Sequence, residues 1–179
     1  MKTLRLLAVF AAFAAFTLRA VADDVTVTLS DVHMCCNSCV KGAAAALAPV
    51  AGVKGVSSTS ARTIVLTAAD LATVQKGVDA LTAKGFFGKS SDPAVKVDAS
   101  TGAKPGKVQS LEISGVHLCC GKCVTAVKAA LATVDGAKPD DSLATNAKSF
   151  KVTGDFDATA VFAALQKAGL TGKVVAPAS

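Results

Sequence analysis

The chain has no tryptophan, no tyrosine and only two histidines, and its six cysteines are confined to two short clusters. Without tryptophan or tyrosine, and without a run of basic residues, it lacks the stacking and phosphate-binding surfaces that nucleic-acid-binding proteins use. It also lacks a glycine-rich phosphate loop and a recognisable pair of catalytic carboxylates. Both histidines lie beside the cysteines, so neither is free to complete a serine triad. We therefore expect no nucleic-acid partner and no enzymatic activity.

The first 22 residues have the pattern of a secretory signal peptide. Lys2 and Arg5 precede an apolar stretch at 6–18, and small residues lead up to a cleavage site after Ala22. The apolar stretch is shorter than the roughly 20 residues of a membrane-spanning helix, although retention as an anchor is the alternative. Cleavage removes three of the 19 basic residues and none of the 13 acidic ones, so the net charge falls from +6 to +3. We expect a periplasmic or secreted protein, with no stable membrane insertion after cleavage.

The rest of the chain is an internal duplication with an offset of 84 residues. The metal-ligand residue types align without a gap, and so do the glycines that follow the second helix of each copy. The matching positions include His33, Cys35, Cys36, Cys39 and Gly85 in the first copy and His117, Cys119, Cys120, Cys123 and Gly169 in the second. Residues 56–72 and 140–156 match poorly. Agreement of spaced cysteines, histidines and glycines at one offset indicates two copies of one module.

Each copy predicts the element order βαββαβ. In the first copy, apolar residues alternate over 25–29, and a helical pattern follows Cys39. Strands are predicted near 53–59 and 63–67, then a helix capped by Asp70, and a last strand within 86–97. In the second copy Asp157 takes the capping position. We predict an α+β protein of two tandem ferredoxin-like βαββαβ sandwiches, each an antiparallel four-stranded sheet with two helices on one face.

These patterns divide the chain into four segments. We predict a signal peptide at 1–22, a first metal-binding domain at 23–90, a linker at 91–107 and a second metal-binding domain at 108–176. The linker is rich in turn-forming proline and glycine. As a random coil it would span about 20–25 Å, which is enough for the two domains to face each other.

The cysteine loops carry the chemistry. Each Cys-x-x-Cys pair spans a predicted helix start, where free amides lower the pKa of a thiol toward the thiolate that binds metal. Two thiolates suit two-coordinate Cu(I) or Hg(II), and further donors would suit Zn(II) or three-coordinate Cu(I). The candidate ligands are Cys36, Cys39, Cys120 and Cys123, with Cys35, Cys119, His33 and His117 as the further donors. We expect one soft ion in each module, and leave open whether the two loops share an ion.

The segment from Met34 to Cys39, between a strand and an alanine-rich helix, resembles the loop of the heavy-metal-associated domain of copper chaperones and copper-pumping ATPases. Periplasmic mercury-binding proteins share that fold, and the resemblance covers both modules. It implies Cu(I) as cargo, held by the two Cys-x-x-Cys pairs, with Met34 packed under the loop. The family sequence is Gly-Met-Thr-Cys-x-x-Cys, whereas His33 and Cys35 stand at its Gly and Thr positions here. The extra imidazole and thiol can change the metal and its coordination number.

Three other interpretations fit the cysteines. Disulfides are common in exported chains, although a bridge within five residues closes a very small loop and stabilises little. A thiol–disulfide oxidoreductase also carries Cys-x-x-Cys at a helix start, but neither pair here encloses a tryptophan or a proline. An interaction module could join chains through cysteines or a bridging metal. The sequence favours a non-enzymatic protein that buffers, scavenges or hands on Cu(I), with Zn(II) or Hg(II) as alternative ions and a metal carrier or transporter as a further partner.

Overall fold

The computed structural model describes residues 23–175, and the predicted signal peptide lies outside this range. The described residues form four helices and two four-stranded antiparallel sheets, which confirms the α+β class. None of the helices within this range combines the length and apolar character that crossing a membrane requires.

The two sheets have the same topology. In the first unit the sheet order is β2-β3-β1-β4, and the elements are β1 (Val25–Ser30), α1 (Asn37–Leu47), β2 (Lys54–Ser58), β3 (Thr63–Ala68), α2 (Leu71–Ala83) and β4 (Lys89–Ser90). In the second the order is β6-β7-β5-β8, and the elements are β5 (Lys107–Ser114), α3 (Gly121–Leu131), β6 (Lys138–Pro139), β7 (Ser149–Asp157), α4 (Ala158–Lys167) and β8 (Lys173–Val174). Both units are compatible with the ferredoxin-like arrangement.

One face of each sheet is buried against two helices. Side chains alternate across a strand, so Val27 and Leu29 of β1 point into the core while their neighbours are more exposed. Helix α2 covers this face with residues at helical spacing, including Val74 and Val78, which are fully buried. In the second unit Val161 of α4 is fully buried in the same way. Buried apolar residues therefore recur at every second position in the strands and at every 3.6 residues in the helices, and these apolar faces pack the helices onto the sheet.

The predicted helix caps are present. The Asp70 carboxylate accepts a hydrogen bond from the Thr73 amide at 2.6 Å, at the start of α2. The Asp157 carboxylate accepts from the amides of Thr159 at 2.8 Å and Ala160 at 3.1 Å, at the start of α4. These bonds satisfy amides that have no partner within the helix, which explains why both helices begin where they do.

The segment between the units differs from the expected random coil. The Gln75 side chain donates to the carbonyl of Lys96 at 2.7 Å and accepts from its amide at 2.8 Å. In the second unit Gln166 donates to the carbonyl of Ala99 at 2.9 Å. The Val95 side chain, in the same segment, is 3% exposed and belongs to the buried core. The random-coil expectation was wrong, because the linker backbone is hydrogen-bonded to helices of both units.

The two units meet through the segments that follow α2 and α4. Phe86 and Leu170 form an antiparallel bridge, and both side chains are buried. The Phe87 amide donates to the Gly169 carbonyl at 3.2 Å, and the Thr171 amide donates to the Gly85 carbonyl at 3.0 Å. Each unit thus supplies the same turn to the contact, and the pair of bonds is related by an approximate two-fold axis.

Candidate metal centre

Each cysteine loop connects the first strand of its unit to the first helix. Cys36 is the N-cap residue of α1 and is extended (φ −167°, ψ 172°), and Cys120 is the N-cap of α3 (φ −160°, ψ 169°). The second cysteine of each pair lies in the first turn. The Cys39 amide donates to the Cys36 carbonyl at 3.0 Å, and the Cys123 amide to the Cys120 carbonyl at 3.0 Å. The expected placement of both pairs at helix starts is confirmed.

The turn between the second and third strands of each unit holds the loop in place. The Val32 amide donates to the Arg62 carbonyl at 3.0 Å, and the Arg62 guanidinium donates to two loop carbonyls at 3.4 Å. In the second unit the Asn146 amide donates to the Leu118 carbonyl at 2.7 Å. Met34 and Leu118 are 2% and 4% exposed, so they belong to the core, as expected. Each loop is therefore held by an apolar side chain packed in the core and by hydrogen bonds to the turn.

The two cysteine loops meet where the units touch, and their six thiols form one cluster. Within the first loop the sulfurs of Cys35 and Cys39 are 3.5 Å apart, and the equivalent distance in the second is 3.7 Å. Sulfurs of different loops are equally close: the distances are 3.5 Å for Cys39 and Cys119, 3.6 Å for Cys35 and Cys120, 3.7 Å for Cys36 and Cys120, 3.8 Å for Cys35 and Cys123, and 3.9 Å for Cys39 and Cys123. All six are free thiols. The structure brings all six predicted cysteine ligands into a single cluster.

The pKa of each of the two N-cap thiols is lowered. The backbone amide of Cys39 has the largest effect on the pKa of Cys36 and lowers it to about 6. Burial opposes this effect, and the Cys120 thiol and the Ser38 amide add smaller effects in the lowering direction. Burial raises the pKa of Cys120, but the Cys123 amide and the Cys35 thiol outweigh it and the pKa is lowered overall. Cys36 therefore carries thiolate at neutral pH.

Three of the other thiols, those of Cys35, Cys119 and Cys123, have a raised pKa and are held in the protonated form in the metal-free protein. Burial raises the pKa of Cys35 well above its usual range, and hydrogen bonds with the thiols of Cys39 and Cys120 add to the effect. Burial likewise raises the pKa of Cys119 and of Cys123, with Cys39 contributing to both. A thiol surrounded by other thiols ionises when a cation is present to neutralise it.

The two histidines have different surroundings. A ring nitrogen of His33 lies within 4.8 Å of the sulfurs of both Cys35 and Cys123. The His117 ring instead packs on Phe86, with ring centroids 4.2 Å apart, and within the described residues it joins no such group. Burial lowers the pKa of both imidazoles, which keeps them neutral and able to donate a lone pair. Both Nε2 atoms are buried without a hydrogen-bond partner. The structure therefore brings His33, but not His117, to the thiols as a potential ligand.

Two glycines allow the close approach of the units. A Cβ on Gly85 would lie 2.4 Å from the Gly115 carbonyl oxygen and 2.4 Å from the His117 amide nitrogen. A Cβ on Gly169 would lie 2.3 Å from the Asp31 carbonyl oxygen and 2.4 Å from the His33 amide nitrogen. These contacts are with the backbone of the opposite cysteine loop, so no side chain could be accommodated. The turn after each second helix sets the distance between the two loops.

Two grooves reach the cluster from opposite sides. The first has a volume of about 660 Å³, and its lining includes Cys35, His33, Arg62, Lys167 and alanines of α3. The second has a volume of about 590 Å³, and its lining includes Cys119, His117, Lys84, Lys148 and alanines of α1. Small side chains on the facing helices leave these grooves open. Each groove exposes one thiol of the cluster to molecules in solution.

The arrangement could hold a metal ion. With metal–sulfur bonds of about 2.3 Å, two thiolates on opposite sides of an ion lie about 4.6 Å apart, those of a trigonal ion about 4.0 Å and those of a tetrahedral ion about 3.8 Å. The observed spacings of 3.5–4.0 Å fit trigonal or tetrahedral coordination better than linear. The sulfur-rich donor set suits a soft ion, without identifying which one.

Comparisons of the chain with protein-family models, with curated proteins and with solved structures find no match. The assignment of function therefore depends on the geometry of the centre.

Sequence reasoning overlooked several residues that shape the centre. A Cβ on Gly42 of α1 would lie 2.5 Å from Cε1 of His117, so this glycine makes room for the imidazole of the other unit. A glycine inside a helix costs about 1 kcal/mol relative to alanine, and this is a signal of close approach that the sequence offered. Arg62 and Asn146 gave no comparable signal, because a single polar residue in a turn is common.

Proposed function

We propose that this protein is a non-enzymatic, extracytoplasmic binder of soft metal ions, with Cu(I) as its main cargo, which it buffers, scavenges or hands on. The observation that carries the proposal is the convergence of six free thiols, from two equivalent loops, in one centre with nine sulfur–sulfur distances of 3.5–4.0 Å.

The composition of the centre favours Cu(I) over Zn(II). Soft thiolates select Cu(I), and Cu(I) accepts three sulfur ligands in a trigonal arrangement. Structural Zn(II) takes four ligands, so it would leave at least two of the six thiols unused. The spacing of the sulfurs also fits trigonal Cu(I) better than the linear geometry that Hg(II) takes with two thiolates.

The centre has an entry side and a holding side. Cys36 and Cys120 are partly exposed and more acidic, so they are the thiolates that an incoming ion meets first. Cys39 and Cys123 are fully buried and close the site from below. A thiol of a donor or acceptor molecule can reach Cys35 or Cys119 through the grooves. Ligand exchange then moves an ion without releasing it to water, because a new sulfur binds before an old one leaves.

The resemblance to the heavy-metal-associated domain supports the same proposal. The βαββαβ order of both units and the Cys-x-x-Cys pairs at the starts of α1 and α3 are what that family would require. The predicted signal peptide supports a location outside the cytoplasm. In such a location a carrier would exchange its ion with another metal carrier or with a membrane transporter.

Anaerobic titration tests this function. The reduced chain is titrated with Cu(I), and separately with Zn(II), against a competing chelator, and bound metal is counted by elemental analysis. The proposal expects Cu(I) to be retained against a chelator that removes Zn(II), with thiolate-to-metal absorption. The same chain with its thiols blocked by alkylation is the control and should retain neither ion. Retention of no Cu(I) by the reduced chain would contradict the proposal.

A further inference from the structure

The close pairs among the six sulfur atoms have the connectivity of an octahedron. Nine sulfur–sulfur distances are 3.5–4.0 Å, and three further pairs (Cys35 with Cys36, Cys36 with Cys119, and Cys119 with Cys120) lie within 4.8 Å. These twelve close sulfur–sulfur pairs correspond to the twelve edges of an octahedron. The three remaining pairs, Cys35 with Cys119, Cys36 with Cys123 and Cys39 with Cys120, take the opposite corners in this arrangement. The approximate two-fold axis that relates the units maps this octahedron onto itself.

Alternate faces of the octahedron are four triangles of sulfur that share corners but no edges. One such set is Cys35–Cys36–Cys120, Cys36–Cys39–Cys119, Cys119–Cys120–Cys123 and Cys35–Cys39–Cys123. Three of these triangles contain cysteines of both loops in a two-to-one ratio, and the other contains the whole second loop. Every sulfur belongs to two of the four triangles. A metal ion in each triangle would therefore make every thiolate a bridge between two ions.

We propose that the centre binds a cluster of about four Cu(I) ions rather than one ion or one ion per loop; this inference rests on the proposed function. Trigonal Cu(I) needs three sulfur bonds, so four ions need twelve. Six thiolates that each bridge two ions supply the same twelve. Four Cu(I) ions per six thiolates is therefore the stoichiometry that follows from the number of thiols, their octahedral arrangement and the preference of Cu(I) for three sulfurs.

The charges of the centre favour the same loading. Six thiolates within 4.8 Å of their neighbours repel one another strongly in a partly buried site. A single Cu(I) ion offsets one of these charges, whereas four offset all but two. Because each thiolate bridges two ions, later ions bind thiols that earlier ions have already ionised, so binding is cooperative. Zn(II) does not fit this cluster, because four tetrahedral ions would need more bonds than six bridging thiolates supply.

Native mass spectrometry of the reduced full-length chain, loaded anaerobically with Cu(I), tests the proposal. At half the saturating amount of Cu(I), we expect mainly metal-free protein and protein with four ions, with little of the intermediate forms. X-ray absorption of the loaded chain should show three sulfurs around each copper and a short copper–copper distance. Saturation at one or two ions, with no copper–copper distance, would overturn the cluster and leave the proposed function standing. Binding of no Cu(I) would overturn both.

Single substitutions give a second, independent test. Cys35→Ser removes a corner that two triangles share, so the number of tightly held ions should fall from four to about two, and Cys119→Ser should do the same. If only the Cys-x-x-Cys pairs bound copper, neither variant would change the number of ions, and the cluster would be excluded. Circular dichroism of the metal-free variants shows whether either is misfolded. If one is, the variant at the equivalent position of the other loop provides the same test.

Discussion

Gly169 lies directly against the backbone of His33 in the other unit. The His33 amide donates to the Gly169 carbonyl at 3.1 Å, and a Cβ on Gly169 would lie 2.4 Å from the His33 nitrogen. His33 is two residues before the first cysteine of its loop, so this contact fixes the position of that loop relative to the second unit. Packing of the two units against each other therefore also brings the six thiols together.

The first prediction is that Gly169→Ala separates the two loops. The added Cβ would overlap the opposite backbone, and φ at this position is +81°, which an L side chain adopts with strain. Gly102→Ala is the matched control, because φ there is +78° but the nearest atom is an ordinary 3.8 Å away. We expect the control to lose about 1–2 kcal/mol of unfolding free energy from strain alone, and Gly169→Ala to lose more. Denaturant unfolding measures both, and equal losses would contradict the packing described here.

The second prediction separates the two histidines. His33 lies near Cys35 and Cys123, whereas the His117 ring packs on Phe86. Zn(II) prefers four ligands from nitrogen and sulfur, so it should recruit His33, and His33→Ala should weaken Zn(II) binding by about tenfold or more. His117→Ala should mainly reduce stability. Competition with a zinc chelator and thermal unfolding provide the two readouts, and equal Zn(II) affinities for the two variants would be evidence against the difference.

The third prediction concerns the order in which the thiols react. The pKa of Cys36 is lowered to about 6, so its thiolate is already dominant at pH 7, whereas the raised pKa of Cys35 keeps that neighbour protonated. Brief alkylation of the reduced, metal-free protein should label Cys36 well before Cys35, with a rate that increases with pH and levels off above about pH 7. Peptide mass mapping identifies the labelled residues. The unfolded chain is the control, and it should lose the preference.

The fourth prediction distinguishes a metal carrier from a thiol–disulfide oxidoreductase. The thiols of Cys36 and Cys120 lie 3.7 Å apart across the contact of the units, and neither Cys-x-x-Cys pair encloses a tryptophan or a proline. We expect no catalysed reduction of a peptide disulfide in the presence of dithiothreitol, beyond the rate of dithiothreitol alone. Multiple turnovers that Cys36→Ser abolishes would support the oxidoreductase instead.

The sequence was sufficient for the element order and for the local features at the helix starts. Asp70 and Asp157 were identified as caps because a carboxylate before an apolar helical pattern has one common structural meaning. The cysteine pairs were placed at helix starts for a similar local reason. Features determined by neighbouring residues along the chain were thus predictable from the sequence.

Features that depend on the contact between the units were not predictable in the same way. Gly85 and Gly169 look like ordinary helix C-terminal glycines, and only the structure shows the opposite loop against each of them. The duplication also suggested equivalent histidines, but Phe86 and Leu170 differ, and so do Gly42 and Ala126, so the surroundings of His33 and His117 diverge. In the second unit β6 has two residues, one of them Pro139, which has no amide to donate, whereas β2 of the first unit has five, so the two units also differ in their middle strands.

The central claim is that both loops contribute to one metal centre, and the double variant Cys36→Ser/Cys39→Ser tests it most directly. Anaerobic Cu(I) binding is measured for this variant and for the unmodified chain against a series of chelator concentrations. A shared centre predicts that the variant loses ions throughout the site, and that those it retains are removed by chelator concentrations that the unmodified chain withstands. Retention of half the ions at unchanged affinity would contradict the claim, because it would show that the second loop binds metal by itself.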